Sequence, residues 1–273
     1  MTLIATCSAK GSPGVTVTAL ACTLSWSRRI ILAECDPAGG DVAAGYLREI
    51  PLGERGLAQL AASLHRRRLA EDLWTQLVDL APGKGTAMTR LVLPGLTDPA
   101  QAAGLAAGWE ELAHLFRSLD ADTSGYDVIA DCGRLSAAYP PTQILATADL
   151  VLLVLRLTLP SIRASAAALA TLRRDGVDRV ALVSVGDGAY APTEVAAELR
   201  APVLAALPDD PSTAAVLSEG GQRHRGRLLR EAARAEADVW HLVAAARPAR
   251  DGRPAPPVLR PPVAPSREAR RVH

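Results

Sequence analysis

Aromatic residues make up only 3% of this 273-residue chain, with a single Phe and four each of Trp and Tyr. With 49% of residues hydrophobic, a core must therefore be built from Ala, Leu and Val rather than from large rings, and the length allows one sizeable core. Net charge is also missing: 30 basic residues against 29 acidic leave +1. That balance excludes a global field drawing the chain to nucleic acid or an anionic membrane, so any basic surface is local. No segment reaches about 18 uninterrupted apolar residues, which argues against a membrane-spanning helix. Cysteine is scarce, and Cys7, Cys22, Cys35 and Cys132 have none of the spacings of a metal knuckle. Cys7, Cys35 and Cys132 fall in or beside apolar runs, as buried thiols in a reducing cytosol do. The five histidines contain no H-x-x-x-H and no Ser/His/Asp order, which sets aside zinc-protease and hydrolase-triad chemistry. The first residues run straight into an apolar strand without a charged n-region, so no secretory signal is expected and a cytoplasmic location is.

Lysine is nearly absent. Only Lys10 and Lys84 occur among the 30 basic residues. Lys10 opens the run Lys10-Gly11-Ser12-Pro13-Gly14-Val15-Thr16-Val17-Thr18. An apolar strand, Leu3 to Thr6, precedes this run and a helix-like stretch follows it. A glycine-rich loop at a helix N-terminus offers backbone N–H groups and a positive dipole end to anions. The phosphate-loop pattern G-x-x-x-x-G-K-[ST] puts a lysine just before the magnesium-binding hydroxyl. Here Val15 stands in that place, and a lysine stands at the front of the loop instead.

Strand-like and helix-like runs alternate from residue 2 to about 246. The strands expected are Leu3–Thr6, Ile30–Glu34, Thr89–Leu93, Asp127–Ala130, Leu150–Arg156, Val180–Val185 and Pro202–Leu207. Several are continuous apolar runs, as a parallel sheet covered on both faces requires. Helices are expected over Val17–Trp26, Gly56–Leu64, Leu69–Asp79, Ala100–Leu119, Pro140–Ala146, Ser161–Arg174, Thr193–Leu199, Ser212–Ser218 and Leu228–Ala246. This alternation predicts an α/β fold, a doubly wound and mostly parallel sheet with helices on both faces, over residues 1–246. Residues 247–273 are rich in Pro and Arg and read as a disordered or polyproline-like tail.

Two further sites follow strands. Glu34-Cys35-Asp36-Pro37-Ala38-Gly39-Gly40-Asp41 comes directly after the second strand, where the ends of parallel strands line a ligand crevice. Carboxylates there can hold Mg through water and position a hydrolytic water, and the glycine pair permits a mobile loop. Asp127-Val128-Ile129-Ala130-Asp131-Cys132-Gly133 ends an apolar strand on an Asp, as a Mg-supporting carboxylate does.

Taken in order, these residues resemble the MinD/ParA group of deviant-Walker P-loop ATPases over about residues 2 to 246. The matching elements are Lys10-Gly11-x-x-Gly14-x-Thr16, Glu34-x-Asp36-Pro37-x-Gly39-Gly40 and Asp131-Cys132-Gly133. Leu207-Pro208-Asp209-Asp210, followed by Gly220-Gly221, looks like that group's late segment beside the base, which implies base contacts from Pro208 and Asp209. The resemblance implies that Lys10 reaches a partner's nucleotide across a face-to-face homodimer. It also implies that Gly11, Ser12, Pro13, Gly14, Val15, Thr16 and Val17 wrap the phosphates of ATP. Thr16 would ligate Mg with support from Asp131, and Asp36 would orient the attacking water beside the metal.

The departures carry information. Val15 replaces the Walker lysine, Val17 replaces a second hydroxyl, and Glu34 stands where many members have Asp. Gly186-Asp187-Gly188 stands where many have an adenine-reading asparagine. Loss of the β/γ-phosphate lysine with retention of the front lysine resembles the TadZ/CpaE-like branch of pilus assembly, without that branch's N-terminal receiver-like domain. The implied function is a positioning or assembly factor with a degenerate ATP site and weak or absent ATPase activity. Its implied partner is a pilus or secretion motor ATPase or a polar scaffold, which would recruit it to the membrane or pole. Two other readings stand beside it: a ParA-like partition ATPase on non-specific DNA, and a nucleotide-free scaffold dimer. The basic clusters Leu64-His65-Arg66-Arg67-Arg68-Leu69 and Gln222-Arg223-His224-Arg225-Gly226-Arg227 read as solvated faces rather than DNA contacts. The last helix reads as a cap on the core rather than a membrane anchor.

Overall fold

The structure is a computed structural model that describes residues 2–11, 13–64, 69–80, 90–119, 125–221 and 226–246. The His65–Arg68 and Arg223–Arg225 parts of the basic clusters, together with Lys84, Ser12 and the 247–273 tail, lie outside the described residues.

Eight strands form one sheet. They are β1 (Leu3–Ser8), β2 (Ile30–Glu34), β3 (Val78–Asp79), β4 (Arg90–Leu93), β5 (Asp127–Arg134), β6 (Leu150–Leu155), β7 (Val180–Val185) and β8 (Val203–Leu207), in the order β3-β4-β2-β5-β1-β6-β7-β8. All neighbours are parallel except the β3–β4 pair. The apolar runs that predicted strands are wholly buried in β1, β2 and β6, as strands covered on both faces must be.

Alternation along β1 sends Leu3, Ala5 and Cys7 into one apolar cluster and Ile4 into the other. The first cluster is closed by α2 (Leu57–Ala62), α3 (Leu69–Gln76), α4 (Ala102–Leu105), α5 (Trp109–Ser118), α6 (Thr142–Thr147), α7 (Leu159–Arg174) and α8 (Pro192–Leu199). The second is closed by α1 (Val15–Ser25), α9 (Pro211–Glu219) and α10 (Arg227–Ala246). This is the doubly wound arrangement that the alternation predicts.

The centre of the sheet is pinned at its entry. Asp127 and Asp149, just at the starts of β5 and β6, accept from the N–H groups of Thr2 and Leu3 at 2.8 and 2.9 Å. Each of these buried carboxylates also faces an arginine, Arg28 and Arg117 respectively. Burial without such partners would be costly. The result fixes β1 between β5 and β6, and so fixes where its following loop emerges.

Two expectations are corrected. The helix expected over Leu69–Asp79 ends at Gln76, and Val78–Asp79 turns into an edge strand whose Val78 lies opposite Val92. The β-branched Val78 gains more from ladder pairing with β4 than from another helical turn. The helix expected over Ala100–Leu119 is broken into short 3-10 and α segments and restarts at Trp109. Gly104 and Gly108 weaken the helix there, and a Cβ at Gly108 would lie 2.3 Å from the Leu64 side chain.

The α10 helix is tied to the end of α1. The indole N–H of Trp26 donates to the Ala232 carbonyl at 2.8 Å, and its ring meets Trp240 edge-on at 5.8 Å. Ser27 donates its N–H and hydroxyl to Glu236, and the Arg28 guanidinium lies 4.3 Å from the Trp240 ring centre. Trp26 is fully buried. Trp26→Ala should lower unfolding stability by about 3–5 kcal/mol, with the loss read from urea unfolding curves. A loss below about 1 kcal/mol would show that α10 is not held by this contact.

Candidate functional site

The loop after β1 turns on two glycines. Gly11 and Gly14 have φ of +75 and +97, and Gly14 caps α1, which therefore begins at Val15, two residues before the expected start. Only glycine takes these left-handed angles without cost, so the loop wraps with its backbone rather than with side chains. Pro13 and Val15 are buried, and Val15, 7% exposed, packs into the apolar cluster beneath α1. Lys10 is exposed and lies outside the lining of the cavity that the loop borders.

That cavity, of about 780 Å³, opens at the ends of β1, β2 and β5. Gly11, Gly14, Val15, Thr16 and Val17 line one side, and Asp36, Gly39 and Asp41 another. Gly133, Arg134, Arg48 and Glu219 complete it. Sequence reasoning placed Thr16, Asp36 and Asp131 together, and the fold brings them together: the Thr16 side chain interacts with the Asp131 carboxyl, and the Asp36 carboxyl lies against Gly133, two residues on. A Cβ at Gly133 would lie 2.0 Å from that carboxyl.

Glu34 takes a different part from the ligand-facing one its position suggested. It is buried, and its Oε1 accepts from the N–H groups of Asp41 and Val42 at 2.8 and 2.9 Å. Its Oε2 accepts from Gly95 N–H at 3.0 Å. One carboxylate thus joins the loop after β2 to the loop after β4. The glycine pair serves the same joint, since a Cβ on Gly40 would lie 2.7 Å from the Gly95 Cα. The Asp36–Asp41 loop is consequently clamped.

The buried carboxyls are shifted upward. Burial pushes Glu34 from 4.5 to about 7, opposed by the N–H groups of Val42 and Gly95 and reinforced by the charge of Asp131. Burial pushes Asp131 from 3.8 to about 6, opposed by Thr16 and Gly133 N–H. Burial also raises Asp36, while Ala38 N–H and the Arg134 guanidinium pull it back. A divalent cation in the cavity would relieve these shifts. Among the described residues no three His, Cys, Asp or Glu side chains converge on a metal position. The oxygen donors near one another here are the Thr16 hydroxyl and the Asp131 carboxyl, the hard ligands that suit Mg.

Pro208 and Asp209 do not reach this cavity. They line a second one of about 440 Å³ with Leu157, Asp187, Tyr190 and Leu207. It opens at the ends of β6, β7 and β8, on the same edge of the sheet. Three strand spacings, about 14 Å, separate β1 from β8, after which Pro208 and Asp209 lie. The neighbouring acids divide their work. Asp209 is exposed at the cavity, whereas Asp210 caps α9, accepting from Thr213, Ser212 and Leu228. Burial would raise Asp210, but these bonds outweigh it and hold the carboxyl well below its ordinary range. Arg48, Arg134 and Glu219 escaped the sequence reading because none lies in a loop pattern. The extension of β5 past Ala130 is the missing signal for Arg134.

All four cysteines are buried free thiols. Burial pushes Cys7 and Cys22 up to about 12, and Cys35 and Cys132 well above the ordinary thiol value, so none is a nucleophile.

Carboxyls raised on folding bind protons more tightly in the folded than in the unfolded chain. Stability should therefore fall as pH rises through the window from about 4 to about 7 set by Asp131 and Glu34. Asp131→Asn should remove of order 2–3 kcal/mol of that fall, measured as the difference in urea unfolding free energy between the ends of the window. An unchanged slope would mean that Asp131 is not the buried carboxylate responsible.

No family model and no curated protein sequence matches the chain. Solved structures do. The cell division ATPase MinD of Pyrococcus furiosus superposes with a TM-score of 0.67 at 16% identity, over 88% of this chain and 99% of that one. MinD of Pyrococcus horikoshii, complexed with Mg-ADP, gives 0.66 at 14% over 90% and 98%. A ParA family ATPase from Chlorobium tepidum gives 0.66 at 14% over 87% and 97%. At these identities the likeness is one of fold: this chain has the α/β architecture of the MinD and ParA ATPases.

Proposed function

We propose that this chain is a MinD/ParA-like positioning or assembly factor whose Mg-ATP site is weakened at the phosphates. The observation that carries the reading is the pairing of an intact glycine cradle and Thr16–Asp131 couple with a buried valine at the lysine position. Bound Mg-ATP would supply a γ-phosphate whose presence or loss separates two states of the protein. Gly11, Ser12 and Gly14 would hold the phosphates through backbone N–H groups, with Pro13, which has no N–H, shaping the loop between them. Thr16 would ligate Mg, Asp131 would hold the Thr16 hydroxyl in place, and Asp36 would orient the attacking water. Pro208 and Asp209 would border the base. Lys10, exposed on the outside of the loop, would reach a partner's phosphates across a face-to-face dimer. Val15 brings no charge to the β/γ-phosphates, so affinity and hydrolysis should both be low.

Within this reading we favour a TadZ/CpaE-like role. In that role, nucleotide- or dimer-gated exposure of a surface recruits a pilus or secretion motor ATPase or a polar scaffold, with the chain held in the cytoplasm. No helix among the described residues is long and apolar enough to cross a membrane. A DNA-binding partition role would rest on the two basic clusters, most of whose residues lie outside the described ones.

Titration calorimetry with Mg-ATP, paired with mass-resolved size exclusion, tests this. Binding weaker than that of lysine-bearing P-loops, coupled to dimerisation and to proton release as Asp131 and Glu34 ionise, is the expected result. Val15→Lys should tighten binding by about tenfold or more, the worth of one charge-assisted phosphate contact. No change in affinity would sink the placement of Val15 at the phosphates. Lys10→Ala should abolish nucleotide-dependent dimerisation while leaving monomer binding intact; a dimer that persists would remove Lys10 from the interface.

A further inference from the structure

We propose that Arg134 is the phosphate-binding cation of the cavity, supplied from β5 in place of the lysine that Val15 displaces. The inference rests on the nucleotide reading above, but its evidence is a local distortion of the sheet. β1 and β5 run in register from Leu3 opposite Val128 to Thr6 opposite Asp131, and then the register slips: Ser8 lies opposite Arg134 rather than Gly133. β5 carries one extra residue at this point. Gly133 absorbs it with φ of +60, the bulge geometry in which a glycine takes the left-handed region. Bulges of this kind re-aim the following side chain, and here the following residue is Arg134.

The position that results is specific. Ser8 is the last residue of β1, so Arg134 stands beside the first turn of the glycine loop, and the next N–H, that of Leu135, donates to Ser8 carbonyl at 2.9 Å. Arg134 is exposed and lines the same cavity as Gly11, Gly14 and Thr16. Its guanidinium closes no contact ion pair among the described residues. The carboxyl of Asp36 fills the space where a Gly133 Cβ would stand, so the acid and Arg134 face the cavity side by side.

The other cations fit the role less well. Lys10 lies outside the cavity lining, and Arg48 stands at the far wall, its Nε 3.5 Å from where a Cβ on Gly220 would be. A guanidinium suits the task, because its planar fork can meet two oxygens of a phosphate at once where a lysine meets them as a point charge.

The test is calorimetric titration of wild type, Arg134→Ala and Arg134→Lys with two probes, Mg-ATP and inorganic tripolyphosphate, alongside melting temperatures. Arg134→Ala should weaken both probes by about tenfold or more, and Arg134→Lys should restore part of the loss. Melting temperatures should match because the side chain is exposed. If wild type binds and Arg134→Ala binds both within about twofold, the inference falls and the nucleotide reading stands. If tripolyphosphate binds in an Arg134-dependent way while Mg-ATP does not bind, Arg134 keeps its role and the nucleotide reading falls. If wild type binds neither probe, both fall. Should Arg134→Ala fail to fold, Arg134→Gln, which keeps a polar side chain and removes the charge, decides: affinity unchanged within about twofold on both probes would overturn the assignment.

Discussion

The buried carboxylate of Glu34 holds the cavity in shape. It accepts three backbone N–H groups from two separate loops, those of Asp41, Val42 and Gly95. The Gly40–Gly95 contact permits no methyl group between the loops, and Gly40 N–H donates to Leu96 carbonyl at 2.8 Å. Asp36 is placed by this joint, and Asp36 in turn fills the space beside Gly133. An aspartate at position 34 would be one methylene shorter and could not span both loops from the same strand end.

Charges of both signs line the cavity. Asp36, Asp41, Glu219, Arg48 and Arg134 all line it, with Asp131 buried nearby. Desolvated acids of this kind are expensive unless something positive approaches them. The fold leaves that positive partner to come from outside the α1 helix, because Val15 is committed to packing beneath it. An apolar residue there stabilises α1 against the sheet.

The sheet was legible because its strands are apolar runs bounded by polar or glycine residues; Ile30–Glu34 and Val180–Val185 agree with the structure to the residue. The joining of the three candidate loops was legible for the same reason, since parallel strands deliver their ends to one edge. What was hidden depended on tertiary pairing. Val78–Asp79 becomes a strand only because β4 offers it an edge. Arg134 was read past because β5 was ended at Ala130, and neither a one-residue slip opposite Ser8 nor a left-handed Gly133 leaves a periodic trace. Glu34 looked like its neighbour Asp36, and only the fold separates an acid that binds loops from one that faces the cavity. Pro208 and Asp209, read as lying apart from the phosphate loop, sit over their own cavity after β8, three strands from β1.

Helix α1 spans 11 residues, about 16 Å, from the glycine cradle to the contact with α10. Its far end is bolted down: Trp26, Ser27 and Arg28 each grip α10 through a different chemistry, an indole donor, a carboxylate and a stacked guanidinium. There is no glycine or proline within the rod to act as a soft joint. Mechanically the cradle and α10 are the two ends of one lever, so a tilt imposed at Gly14 arrives at the opposite side of the sheet edge as a shift of the whole 20-residue helix rather than as a local rearrangement.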